Sequence, residues 1–510
     1  MVGPRRRGAA GIRDASRRAF LRGAIGAVGG ALTVAGAVDL GLNGVQSNPN
    51  AWMSRYLSES TGSQATLPDY TDFLEWMRGV SGRISGQSVD VSLEEEFAPY
   101  ALQARASDFV RYSGASAGYS LLPYLTQLDD MELAVSTQSP SYDVFTVDSQ
   151  NTAAFNQATI PPAELISRYP ELTYPGYDIQ DFGTAAWSFV GSYPPAAAEV
   201  TSGAASGSPA TAFNMFPFDS PVIVFFYRKD IYDRLGLQPP ATWDEYYAQA
   251  QRLMGSGTPY ATVSEANADV SILYEYLNHL ASFGGALWNV DGNQITPNLE
   301  SAECLAALEN FVRFRPFADP GSFAFTWTDQ FNSLATGASA TALLWCGYYG
   351  WLNDPLRSPV APGQFLPALN PAGPKGSFST YGGSGMGVSR FSKHPEAAYV
   401  WIQWATCKGM QEQLLLDSYH VFPSRSSVPG VPQVQGAVAS DAGAYAAFAV
   451  TRKAFETGVT ALTPFPKWFS VLVPLSLHLN RAWKGEESPS EALASAQSEI
   501  EQGFPGLTFS

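Results

Sequence analysis

DSPVIVFFYRKDIYDRLGLQPPATWDEYYAQAQRLM, residues 219–254, decides the fold class of this 510-residue chain. Pro221 to Tyr227 is an unbroken apolar run rich in β-branched and aromatic side chains. It is too short for a buried helix and predicts a strand covered on both faces. Arg228, Lys229 and Asp230 end it, and a short amphipathic turn carrying Ile231 and Leu235 follows. Beyond Gly236-Leu237-Gln238-Pro239-Pro240, Thr242 and Glu245 stand in capping-box spacing, so a helix opens there. Trp243, Tyr247, Ala250 and Met254 predict its buried face. The stretch is one βα unit of an α/β protein.

The length allows two or more sizeable domains, and an aromatic fraction of 13% makes a core easy to build. After residue 40 no apolar run approaches the roughly 20 residues needed to span a bilayer. Cys304, Cys346 and Cys407 lie far apart without metal-ligand spacing, and are expected to be buried free thiols. Ser16-Arg17-Arg18-Ala19-Phe20-Leu21-Arg22 matches a twin-arginine export signal. Gly23 to Val38 supplies its weakly apolar stretch, and Ala35-Gly36-Ala37 suits small-residue cleavage. A basic arm for anionic partners would leave that apolar stretch unexplained. No cysteine follows the stretch, so the expected product is periplasmic or extracellular and not lipid-anchored.

Residues 1–37 hold seven arginines and one aspartate; without them 23 basic and 45 acidic residues remain, a net charge near −22. Such a charge excludes nucleic acid and anionic membrane surfaces as partners. Only 7 of the 30 basic residues are lysine, which fits a salt-adapted or a GC-rich source without deciding between them.

Residues 38–85 read as a linker and N-terminal extension. Ser88 to Leu93 alternates as a strand and ends in Glu94-Glu95-Glu96. A helical segment to Tyr112, a strand at Gly118 to Leu122, a helix from Pro123 to about Ser136 and a strand at Tyr142 to Val147 follow. This order predicts an open parallel sheet, with ligand beyond the carboxyl ends of its strands. Glu95, Glu96, Asp148 and Gln150 are therefore candidate ligand contacts. Residues 194–212 are low-complexity and predict a surface loop.

Farther along, Glu265 to Phe283 reads as helix. The glycine-dense run Thr380 to Ser389 lacks the Gly-Lys-Ser/Thr of a phosphate loop. The four histidines (279, 394, 420 and 478) show no metal-binding spacing, and no Gly-x-Ser-x-Gly elbow with supporting flanks occurs. No cofactor is implied.

The order of strand, Tyr-Arg-Lys-Asp, Leu-Gly-Leu, Pro-Pro, Thr-Trp-Asp-Glu and helix resembles the hinge of extracellular solute-binding proteins, family 1, the receptors of ABC importers for sugars and related solutes. Further phrases share the resemblance: Tyr142-Asp143-Val144, Pro217-Phe218-Asp219, the Gly284-Gly285 corner, Trp327 to Trp345, and SKHPEAAYVWIQWAT from Ser392. It covers roughly residues 86–505.

The resemblance implies a type II periplasmic-binding fold, two α/β lobes joined by crossing strands at 219–227, 382–388 and 421–425. The first lobe is expected at 86–220 with 388–422, the second at 221–387 with 423–510. Implied ligand contacts are Asn214, Phe218, Asp219, Trp288, Trp327, Trp345, Tyr348, Tyr381 and Arg425, with Trp345 stacking on a sugar ring. Stacking suits a carbohydrate because a pyranose has an apolar C–H face, while carboxylates and amides bind its hydroxyls.

The expected function is a monomeric, non-enzymatic receptor that hands an oligosaccharide or related polyol to membrane permease subunits, after passing the twin-arginine machinery. Alternatives are a receptor for a cation such as a polyamine or ferric ion, and an exported carbohydrate-active enzyme, whose paired carboxylates no sequence excludes.

Overall fold

The computed structural model describes residues 67–194, 199–200, 213–418 and 420–509. The export signal at 1–37, the linker up to 66 and most of the low-complexity loop lie outside these residues. Among the described residues no helix is long and apolar enough to cross a membrane.

Two sheets organise the molecule. Ser88–Glu94 pairs in parallel with Ser116–Leu122 on one side and Val144–Asp148 on the other. This is the parallel core that the strand–helix alternation predicts. Ser384–Ser389 then joins antiparallel to Val144–Asp148, and Thr159–Ile160 and Phe216–Pro217 pair antiparallel with it, so the six-stranded sheet is mixed. Ser384–Ser389 belongs wholly to this sheet, four residues ahead of the boundary expected at 388.

The second sheet is built on Ile223–Arg228, the strand of the opening stretch. Phe365–Ala368 and Ser339–Trp345 flank it antiparallel, and Tyr260–Val263 lies parallel to Ser339–Trp345. Val222, Ile223, Val224, Phe225 and Phe226 are all fully buried, as a strand covered on both faces must be.

The helix after it runs Trp243–Leu253, and the Thr242 hydroxyl accepts from the Glu245 N–H at 3.2 Å. The Glu245 carboxylate reaches the Ala241 N–H at 2.8 Å, one residue earlier than a capping box requires. Thr242 also bridges Ala372 in parallel, through the Trp243 N–H and the Ala241 carbonyl. The buried face is Trp243, Tyr246, Ala250 and Leu253 rather than one through Tyr247 and Met254. Tyr246 wins over Tyr247 because its hydroxyl finds two buried partners, Thr262 and Thr341, each at 2.7 Å.

The helix expected from Glu265 begins at Val270. Asp269 caps it by accepting from the Ser271 N–H, and residues 264–269 form a buried connection tied to Ser322. All three cysteines are free and buried.

The two sheets are joined by three adjacent segments. Asp219 bridges Pro423, Val222 bridges Tyr381, and the Gly382 N–H donates to the Pro221 carbonyl at 3.0 Å. Asp219 fastens two of these segments by accepting from the Ser384 N–H at 2.9 Å and hydroxyl at 2.7 Å.

Candidate functional site

Parallel strands present their carboxyl ends on one edge, and both sheets do so toward a common space. From the six-stranded sheet come Glu94, the last residue of its strand, and Asp148, the last of the neighbouring one. Glu96 follows Glu94 at the start of a helix, and Asp219 enters from the hinge. From the second sheet come Trp345, the final residue of its strand, and Glu265, two residues past the end of the adjacent parallel strand.

The two edges touch through side chains. The Tyr274 hydroxyl accepts from the Gln150 amide nitrogen across the space and is hydrogen-bonded with the Tyr124 hydroxyl. Trp327 packs edge-on against Tyr124 at 5.8 Å and tilted against Tyr274 at 6.2 Å. Trp345 meets the edge of Tyr274 at 5.1 Å, and Phe97 meets Tyr348 at 5.9 Å. The result is an aromatic wall over a floor of carboxylates and amides.

The electrostatics of that floor are unusual. Burial, then the charges of Glu96, Asp148 and Asp219, push Glu94 well above the ordinary carboxylate range. Burial and the charges of Asp219 and Asp148 do the same to Glu96. Asp148 is pushed up to about 8 by burial and then by Asp219, against a lowering hydrogen bond from Gln150. Asp219 is raised by burial alone, while its bonds from Ser384 pull the other way. Among the described residues none of the four has a lysine or arginine as ion-pair partner. Nor does any set of three His, Cys, Asp or Glu side chains there come close enough to hold a metal ion.

The sequence candidates divide into two groups. Glu96, Asp148, Gln150, Asp219, Trp327, Trp345 and Tyr348 gather at this space. Tyr381 lies just beneath it, fully buried, its hydroxyl 3.2 Å from that of Ser220. Glu95 is exposed and accepts from the Tyr100 hydroxyl at 2.6 Å, on the opposite side of the strand end from its two neighbours. Phe218 is a core residue of the first sheet's helix-packed face. The Asn214 backbone N–H donates to the Gly191 carbonyl while its buried side-chain nitrogen has no partner, and Trp288 packs against Phe465 at 5.2 Å in the second core. Arg425 is buried over the rings of Phe182 and Tyr177, with Nε donating to the Thr406 carbonyl at 3.0 Å, so its guanidinium is used in packing.

Glu94, Tyr124, Asn151, Glu265 and Tyr274 join the site without having been singled out. Glu265 obeys the rule that marked Asp148, a carboxylate just past a short apolar strand; reading it as helix hid it. A separate concavity beside Trp243, Asn310 and Arg313 shares no residue with this floor.

Comparison with known proteins agrees with this architecture. The profile of the family described as bacterial extracellular solute-binding protein matches residues 100–412. A probable amino-acid ABC transporter periplasmic-binding protein of Sinorhizobium fredii is 25% identical over 334 residues, 63% of this chain and 69% of that one. Among solved structures, an ABC transporter solute-binding protein of Agrobacterium radiobacter K84 in complex with ribitol superposes with a TM-score of 0.67 at 22% identity, covering 82% of this chain and all of that one. Maltose-bound MalE3 of T. maritima gives 0.67 at 18% identity, with coverage of 82% and 100%. At these identities the two structures establish the fold.

Proposed function

The chain belongs to the bacterial extracellular solute-binding protein family and is a receptor rather than an enzyme; from that premise we propose that it serves an ABC importer whose solute is a sugar or polyol. The solute sits between the sheets, in contact with Trp345, Trp327 and Tyr348 on one side and Asp148, Gln150 and Glu96 on the other. Two lobes, residues 86–220 with 384–422 and residues 221–383 with 423–510, close on it about the three joining segments. The observation that carries this reading is the aromatic wall set against hydrogen-bonding groups at facing strand ends. Such a wall covers the C–H face of a polyol while the polar floor takes its hydroxyls. The ribitol and maltose of the two similar structures support the same class.

Calorimetric titration with a panel of pentitols, hexitols, mono- and oligosaccharides tests it, and at least one should bind saturably. Heat from none of them, together with saturable binding of an amino acid, would retire the polyol class. The arginine pair at 17 and 18 supports export in folded form by the twin-arginine route. Arg17→Lys with Arg18→Lys should leave the protein in the cytoplasm, and normal export of that variant excludes the route.

A further inference from the structure

Resting on the receptor reading above, we infer that the solute carries a protonated amine on its polyhydroxylated frame, seated between Glu265 and the floor of Glu94, Glu96, Asp148 and Asp219.

Two independent observations point there. The first is the floor itself: Glu94 and Asp148 end neighbouring strands, Glu96 follows Glu94, and Asp219 is bonded to Ser384, the register partner of Asp148, with no basic side chain paired to any of the four. A neutral polyol cannot supply the missing charge; an ammonium can. The second is Glu265, which contributes nothing to the floor's own bonding. It is fully buried, and neither carboxyl oxygen has a hydrogen-bond partner. Its backbone is fixed by its N–H donating to Glu275 at 2.7 Å. The carboxylates that act on Glu265 are Glu275 and Asp269, and its link to the floor is the Tyr348 hydroxyl, which Glu96 and Glu94 also act on.

A buried carboxyl with both oxygens unpaired costs several kcal/mol unless something supplies donors. Asn151 Oδ1, beside Tyr124, and Gln330 Oε1, beside Glu275, are also buried acceptors without a donor, although the amide nitrogens of both are engaged. With these carboxyls ionised, the site is short of donors and of positive charge at once. An alkylammonium supplies both, with three N–H donors on one centre. An ammonium at the face of one of the rings, Trp327, Trp345 or Tyr348, would gain cation–π attraction as well.

Matched pairs separate this inference from the polyol reading. Melting temperature and calorimetric affinity are measured on the full exported protein with sorbitol against 1-amino-1-deoxysorbitol, glucose against glucosamine, and putrescine alone. The aminated member of a pair should bind roughly tenfold or more tightly than its neutral partner. Equal or tighter binding of the neutral partner overturns the inference and leaves the polyol reading standing. Putrescine binding as tightly as the best aminated polyol supports the ammonium and removes the polyol frame. No ammonium-dependent stabilisation by any probe overturns the inference. Glu265→Gln should shrink the ratio between aminated and neutral partners, while an unchanged ratio overturns the assignment to Glu265.

Discussion

Trp345 shows how a single side chain distinguishes site from core. It ends an otherwise buried strand, yet is only partly buried itself, with the edge of Tyr274 at 5.1 Å. Its ring lies so near Gly382 that a Cβ there would fall 2.5 Å from it, which explains a glycine at that position. Trp345→Ala should therefore weaken solute binding about thirtyfold, roughly 2 kcal/mol, with a near-normal melting curve. A loss of ~3–5 kcal/mol in stability with unchanged affinity would place the ring in the core instead.

Asp148 gives a second prediction at this scale. Its folded pKa is raised to about 8, and that of Glu275 likewise, by burial in both cases. A carboxyl whose folded pKa is raised favours the fold fully below its unfolded value and loses that contribution as pH rises through the folded one. Stability of the solute-free protein should thus fall between about pH 4 and pH 8, with Glu94, Glu96 and Asp219 pulling in the same direction. Denaturant unfolding at pH 5 and pH 8 measures this, and Asp148→Asn should flatten the difference by on the order of 1 kcal/mol or more. Equal stability at both values would contradict the buried, uncompensated floor. From sequence, the strand-end rule reached Asp148 and Glu96 because an apolar run followed by a carboxylate is visible in one dimension. It did not separate Glu95, exposed and bonded to Tyr100, from its neighbours, since which of three consecutive glutamates turns inward depends on the pleat at the strand's last residue.

At the scale of elements, the joining segments account for the glycine-dense run after Tyr381. A Cβ at Gly383 would meet the Asp219 carbonyl at 2.5 Å and the Tyr381 hydroxyl at 2.1 Å. One at Gly385 would meet Val190 at 2.4 Å, and one at Gly387 would meet Thr159 at 2.6 Å. Crossing backbones approach each other here, and side chains are excluded for that reason. Gly383→Ala should cost ~1–3 kcal/mol of stability, because one obstruction is backbone and the other a fully buried ring, and neither can rotate away freely. An unchanged melting temperature would show that the segments can separate. The opening strand was legible because its burial is continuous. The start of the helix at Val270 was not. Residues 264–269 contain no glycine or proline to stop the pattern, and Ser322 and Glu275, distant in sequence or on the next turn, hold them out of it.

For the whole molecule, the two-sheet plan was readable from alternating strands and helices together with the family-like phrases. The antiparallel additions to each sheet were not, because they come from chain returning after more than a hundred residues. Nor could one-dimensional reading place Tyr274 against Gln150, a contact between the two sheets' edges that only the assembled fold creates. That contact, with Tyr124–Trp327 and Phe97–Tyr348 beside it, is where lobe closure should act. Small-angle scattering of the exported protein, alone and saturated with its tightest-binding polyol or aminated polyol, tests the receptor reading most directly. A smaller radius of gyration in the saturated sample is the predicted result, and superimposable profiles at saturation would contradict it.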